Sequence, residues 1–313
     1  LSSHALDKNP LLVQPSAAMS TVSLTHFSDP HCPWAYSASP AHAVLRWRFG
    51  AQLDWRLVLI GLSEGPDRYV KSGYTPERSA QGYRTFGRRF GMPFGGQPRD
   101  RVTGTGVACR LVVAARLRHG ADAELAVFRA LQLAQFTTTL LLDEPADLRA
   151  ALEARPIDGI DAAALVAAIG DDDVEAAYQA DRAESRTAEG KPTHAQGREA
   201  NTDGAIRYTA PSIIFTTEDG RSLEVGGFQP VEAYDTALAN LDVSLERRAA
   251  AEDPVEVVRA LPYAPTTREV AACMTTNLGE LDEDAAEHAL IAAAAAGTVR
   301  REAVGTSALW HLA

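Results

Sequence analysis

The segment "THFSDPHCPWAYSASP" (25–40) holds Cys32, one of only three cysteines in the chain. Cys32 follows a short β-prone run and precedes what reads as a helix. A helix N-terminus offers unpartnered backbone N–H groups and the positive end of a dipole. Both favour thiolate over thiol, and the thiolate is the nucleophile. The expected consequence is a Cys32 pKa below the ~8.5 of a free cysteine. Pro33 suits the first helical turn, where its missing N–H is not needed. Trp34 supplies an apolar surface beside the sulfur, and His31 adds positive charge if protonated or is simply an exposed imidazole. The bland alternative is a small buried hydrophobe, and the junction position argues against it. A redox pair would place its second cysteine at 35, where Ala35 stands. Ala35 cannot resolve a mixed disulfide, so an external thiol would have to. Cys109 and Cys273 read as buried helix cysteines.

The elements that must position Cys32 follow from pattern. "TVSLTHFSD" (21–29) reads as a strand and "PWAYSASPAHAVLRWRFG" as a helix that Pro40 kinks or restarts. "LDWRLVLIGL" (53–62) is apolar almost throughout and reads as a strand buried on both faces. This βαβ unit predicts a right-handed crossover. Residues 63–98 read as a long, partly irregular stretch, and 104–190 as almost entirely helical. β signals return at "IRYTAPSIIFTTEDGRSLEVGG" (206–227), where two runs flank the turn "EDG". "QPVEAYDTALANL" is a helix. After "AAAEDP" (249–254) come two helices, one N-capped by Thr266 or Thr267, and a hairpin turning at Gly305.

Taken together, "SDPHCPWAYSASP", "RYTAPSIIF" and "GGFQPVEAYD" resemble the DsbA family of thioredoxin-fold proteins. The similarity is to the cytoplasmic FrnE-like branch, which is related to 2-hydroxychromene-2-carboxylate isomerases and kappa-class glutathione transferases. It spans roughly residues 21–245. It implies an α/β thioredoxin-like domain at 21–63 and 200–248, interrupted by a mainly helical insertion at 64–199. A winged-helix-like domain (250–313) and a flexible N-terminal extension (1–20) complete the expected organisation. Met19 is a candidate natural start.

The resemblance makes Cys32 the catalytic residue and Pro211 a cis-proline facing it. The backbone of Ala210 would pair with an extended substrate. Pro33, Trp34, Ala210, Pro211 and Phe228 are the expected substrate-binding residues. The implied activity is thiol–disulfide exchange with thiol or disulfide substrates. The departure at Ala35 makes the site a monothiol one, served by a low-molecular-weight thiol of glutathione or mycothiol type, with no tightly bound cofactor. Two alternatives stand beside this: a thiol-cofactor-dependent isomerase or transferase, and a non-catalytic protein-binding adaptor.

Composition narrows the partners. The 313-residue chain carries a net charge of -11, which repels phosphate backbones. The C-terminal piece is acidic too, with Asp282, Glu283, Asp284 and Glu287 on the helix in the recognition position, so no nucleic acid is expected. That piece is expected to pack on its own domain or on a partner protein. No stretch reaches membrane-span length. Sparse, odd cysteines suggest a reducing, cytoplasmic setting rather than a disulfide framework. The start lacks a secretory pattern. No histidine has a partner at metal-ligand spacing, so no metal is expected. "FGRRFGMPFGGQPRD" (86–100), basic and aromatic, reads first as a solvated loop and second as a groove for an anionic thiol or substrate.

Overall fold

The computed structural model describes residues 21–313. The expected N-terminal extension and the candidate start Met19 lie outside the described residues. The first unit is β1 (Val22–Ser28), α1 (Pro33–Ser37), α2 (Ser39–Phe49) and β2 (Leu53–Leu59). The helix breaks at Ala38 and restarts with Pro40 in the first turn of α2, where a proline lacking its N–H loses nothing. β1 and β2 are parallel, in register from Val22↔Leu53 to Ser28↔Leu59.

Eight helices come next: α3 (Asp67–Lys71), α4 (Pro76–Phe90), α5 (Gly106–His119), α6 (Ala121–Thr137), α7 (Pro145–Glu153), α8 (Ala162–Ala167), α9 (Asp172–Ser185) and α10 (Pro192–Ala195). The stretch that read as irregular therefore contains two helices. α4 starts where Thr75 accepts from the Arg78 N–H and Pro76 follows it, and ends at left-handed Gly91. Both are ordinary helix punctuation.

The chain then forms a small hairpin, β3 (Glu199–Asn201) with β4 (Ile206–Tyr208), before β5 (Ser212–Thr216), β6 (Ser222–Gly226) and α11 (Val231–Leu241). The run that read as two strands is thus three, because the turn at 209–211 separates β4 from β5. The main sheet has the order β2-β1-β5-β6, with β5 antiparallel to both β1 and β6. A βαβ unit and a ββα unit sharing one mixed sheet make the thioredoxin-like fold.

One sheet face is covered by α2 and α11, packing Leu45, Phe49, Tyr234 and Leu238 on Val22, Leu24, Ile213 and Phe215. The α5–α9 bundle forms a second core that reaches Leu59. β2 departs from expectation. It is an edge strand with Asp54 and Arg56 exposed, and is buried throughout only at Val58–Ile60. Its apolar run reflects the helical bundle at one end, not sheet neighbours on both sides.

The C-terminal region has three helices, α12 (Pro254–Ala260), α13 (Thr267–Met274) and α14 (Glu283–Ala295), then the hairpin β7 (Val299–Val304) and β8 (Ser307–Leu312). Sequence reading missed α12, although Asp253 as N-cap and Pro254 after it were a usable start signal. Thr266 and Glu269 form a capping box at α13. This region packs on the first unit: Val270, Cys273 and Trp310 share a core with Ala43, Val44 and Trp47 of α2. A buried ion pair, Arg129–Glu269, ties α6 to α13. The hairpin also reaches the segment after α4, where Val304 and Leu309 join Met92 and Phe94 around Tyr36.

Candidate active site

Asp29 sets the geometry of the turn between β1 and α1. Its backbone carbonyl accepts the Cys32 N–H at 3.1 Å. Its buried carboxylate accepts from His31 N (2.8 Å), Leu62 N (2.9 Å), Thr105 Oγ1 (3.0 Å) and Cys109 Sγ (3.6 Å). One side chain thus fastens the turn to the end of β2 and to the start of α5. Burial pushes the Asp29 carboxyl above its ordinary value. Cys109 spends its S–H on Asp29, and Cys273 lies in the C-terminal core.

Cys32 is the N-cap of α1, with Pro33 following. Its sulfur lies 3.1 Å from the carbonyl oxygen of Ala210 and donates to it. The Ala210–Pro211 peptide is cis. The loop around it is held on both sides: Thr209 Oγ1 donates to Arg198 O (2.9 Å), and Gly227 N donates to Ser212 Oγ (3.1 Å).

The electrostatics correct the sequence expectation. Cys32 is 6% exposed. Burial, the dominant influence, pushes its thiol up to about 12, and the nearby Asp29 carboxylate adds to this. The backbone N–H groups of Ala35 and Trp34 and the Arg207 cation pull the other way without prevailing. α1 is only five residues long, too short for a strong dipole to offset desolvation. His31 supplies no charge either. It is buried rather than exposed, and desolvation holds its pKa down near 3.

Cys32 forms part of the wall of a solvent-connected cavity of about 1040 Å³. Of the expected site residues, Pro33, Trp34, Ala210 and Phe228 also line it, whereas Pro211 is buried and is not among the lining residues. Trp34 meets Phe86, Phe90 and Phe228 at ring-centroid distances of 4.9, 5.5 and 5.5 Å. This cluster joins α1, α4 and the loop after β6. The 86–100 segment is not a solvated loop. Met92 and Phe94 are buried, and Phe86, Arg89, Gln97 and Arg99 line the cavity.

Sequence reading missed Arg68, Tyr69, Arg78, Arg198 and Arg207, all in the lining. Arg207 had one usable signal: a cation inside an apolar strand just before the expected cis-proline. The others come from segments with no mutual periodicity. Among the described residues no cluster of three or more His, Cys, Asp or Glu could hold a metal, and no helix is long and apolar enough to cross a membrane.

No family model and no curated protein matches the chain. Solved structures do. A "putative protein disulfide isomerase" from Nitrosomonas europaea is similar at a TM-score of 0.52 and 18% identity, over 70% of this chain and 97% of that one. The cytosolic disulfide reductase DsbM from Pseudomonas aeruginosa, also solved with GSH, is similar at 0.49 and 22%, over 70% and 100%. A probable DsbA oxidoreductase from Streptomyces coelicolor is similar at 0.49 and 17%, over 74% and 94%. At 18% identity the first of these likenesses establishes the fold alone.

Proposed function

We propose that this protein is a thiol–disulfide oxidoreductase working through a single cysteine, Cys32, with a low-molecular-weight thiol as its external resolving partner. The observation that carries the reading is the 3.1 Å contact between Cys32 Sγ and Ala210 O beside a cis-proline, in the wall of a cavity of about 1040 Å³. In the first step the Cys32 sulfur attacks a disulfide R–S–S–R. A Cys32–S–S–R bond forms, the R–S–S–R bond breaks, and the leaving thiolate takes up the proton that Cys32 loses. A second thiol then attacks the mixed disulfide, restoring the Cys32 thiol and releasing a new disulfide. Ala35 makes that external step necessary. Phe27, Tyr208 and Val58 pack around Cys32, Trp34 and Phe228 offer apolar walls to the substrate, and the Ala210 backbone orients the incoming chain. A reducing, cytoplasmic compartment would supply the thiol. The C-terminal region, winged-helix-like in its helix and hairpin order, would support the wall from behind through Met92 and Phe94.

The test is intact-mass analysis of the reduced protein after exposure to small disulfides. One adduct per chain, lost in Cys32→Ser and released by added thiol, is expected. No adduct at Cys32 would sink the reading.

The raised Cys32 pKa favours one second reading. A cysteine that stays protonated could donate its S–H to the thiolate of a bound thiol cofactor, as in an isomerase or transferase. In that case Cys32→Ser would keep its activity and the wild type would form no mixed disulfide.

A further inference from the structure

The chain is acidic, yet the walls of the Cys32 cavity are strongly basic. Seven arginines line it, against a single carboxylate, Glu199. Arg101 is neutralised by Asp143 and Glu144. Among the described residues, Arg68, Arg78, Arg89, Arg99, Arg198 and Arg207 form no ion pair. Most arginines elsewhere do, as in Arg110 with Glu64 and Glu175, Arg118 with Asp171 and Asp173, and Arg186 with Asp203.

All of this set but the exposed Arg198 are nonetheless held in place. Arg68 donates to Leu62 O, Arg78 to Gly73 O (3.1 Å), and Arg99 to Leu140 O (2.9 Å) and Gln135 O. Arg207, only 5% exposed, donates to Thr202 Oγ1 (3.1 Å) and Tyr208 O (2.9 Å). Arg89 lies over the Phe90 ring. Carbonyls and ring faces fix the guanidinium planes without cancelling their charge. A buried guanidinium with no carboxylate is costly to the fold, so Arg207 is the position where structure alone accounts least for the residue. Arginine also suits forked binding of phosphate and carboxylate oxygens.

From this constellation we infer that the thiol or disulfide handled at Cys32 is polyanionic, carrying several phosphate or carboxylate groups on a body larger than a simple amino-acid thiol. The inference rests on the thiol–disulfide reading above. The cavity stands at the top of the range of about 300–1,000 Å³ usual for small-molecule sites, and its charges come from three directions: Arg68, Arg78 and Arg89 from the α3–α4 side, Arg99 from the segment after it, Arg198 and Arg207 from the β3–β4 hairpin side. A ligand with one net charge would leave most of them unmatched. Tyr69, Tyr74 and Tyr83 stand in the same wall, with Arg68, Arg78 and Arg99 lying over their rings.

The experiment measures mixed-disulfide formation on Cys32 with a charge series at low and high potassium chloride. The series is cystamine (cationic), hydroxyethyl disulfide (neutral), glutathione disulfide, mercaptosuccinate disulfide (polycarboxylate) and coenzyme A disulfide (phosphate-bearing). The expected order rises with negative charge, by about tenfold or more between the neutral and the most anionic members, consistent with one or more charge-assisted contacts. Salt should erode that advantage. Arg89→Gln and Arg198→Gln, both exposed positions that need not disturb folding, should each lose more with the polyanionic disulfides than with the neutral one. The two most anionic members separate carboxylate from phosphate recognition. Equal, salt-independent rates across the series would overturn the inference while leaving single-cysteine chemistry intact. If Cys32 reacts with none of them, the thiol–disulfide reading fails. The cavity is then judged by calorimetric titration with redox-inert S-methyl coenzyme A and S-methyl glutathione. Saturable, salt-sensitive binding of the former in preference to the latter supports a polyanion site; equal or absent binding refutes it.

Discussion

The Cys32 thiol and the Ala210 carbonyl, 178 residues apart in sequence, meet at 3.1 Å with the sulfur as donor. The contact needs the proton. It holds Cys32 as a thiol at rest and has to be given up when the thiolate attacks.

Alkylation of Cys32 should therefore accelerate with pH well beyond the value at which a free cysteine levels off. With the thiol pushed up to about 12 by burial, the iodoacetamide rate, followed by mass spectrometry, should climb tenfold per pH unit through pH 9 and above. A plateau below pH 8 would show that the site ionises easily. The same shift has a stability consequence. The unfolded chain ionises first, so folding stability should fall as pH rises above about 9 and towards 12. Cys109 and Cys273, both raised by burial, act in the same direction.

Ala35→Cys should create an internal resolving pair. Residue 35 lies in α1, one turn from Cys32, and packs in the same cluster as Cys32, Phe27 and Tyr208. Mild oxidant should yield a disulfide between Cys32 and the introduced thiol, seen as a loss of two hydrogens and of thiol titre, together with new oxidase activity on a reduced dithiol peptide. Because residue 35 is 2% exposed, the added sulfur should cost about 1–3 kcal/mol in denaturant titrations. A variant in which both thiols stay free after oxidation contradicts the expected geometry.

Acid should destabilise the fold through three buried histidines. Desolvation holds His31 and His42 near 3 and His26 well below 6.5. Below about pH 6.5 the unfolded chain binds protons at these histidines that the folded one refuses, so their contribution to stability falls as pH drops from there towards 3, against the opposing contribution of Glu124, whose carboxyl burial raises to about 7. Each histidine contributes up to about 1.4 kcal/mol per pH unit. Urea midpoints between pH 7 and 4 measure this, and His42→Gln should flatten the slope. An unchanged slope would remove His42 from the account.

Trp310→Ala tests the C-terminal anchor. Trp310 is fully buried among α2 and α13 residues, and its Nε1 donates to Thr267 Oγ1 at 2.9 Å. Truncation should cost about 3–5 kcal/mol. The loss should spread to the thioredoxin-like unit as one cooperative transition, because Ala43, Val44 and Trp47 share that core. Two separated transitions would mean that the regions fold independently.

Duplex DNA should not bind. On α14, Glu283 pairs with Arg268 and Glu287 with Arg301, and Asp282 and Asp284 remain to repel phosphate. A salt-sensitive mobility shift of duplex DNA by the full chain would refute this.

Local pattern in the sequence determined the β-α-β and β-β-α halves, the restart of the helix at Pro40, the strand-to-helix junction that carries Cys32, and the hairpin at Gly305. Each depends on periodicity, proline geometry or glycine geometry within a few residues, and these act before any distant contact forms. Tertiary structure decided the rest. It set β2 at the sheet edge, spent the Cys109 S–H on Asp29, and drew arginines from four separate segments around one cavity. It also reversed the expected ionisation of Cys32. A helix end lies in the sequence beside the cysteine, whereas the desolvation that outweighs it is summed over Ala210, Phe27, Tyr208 and Val58, neighbours that only folding assembles.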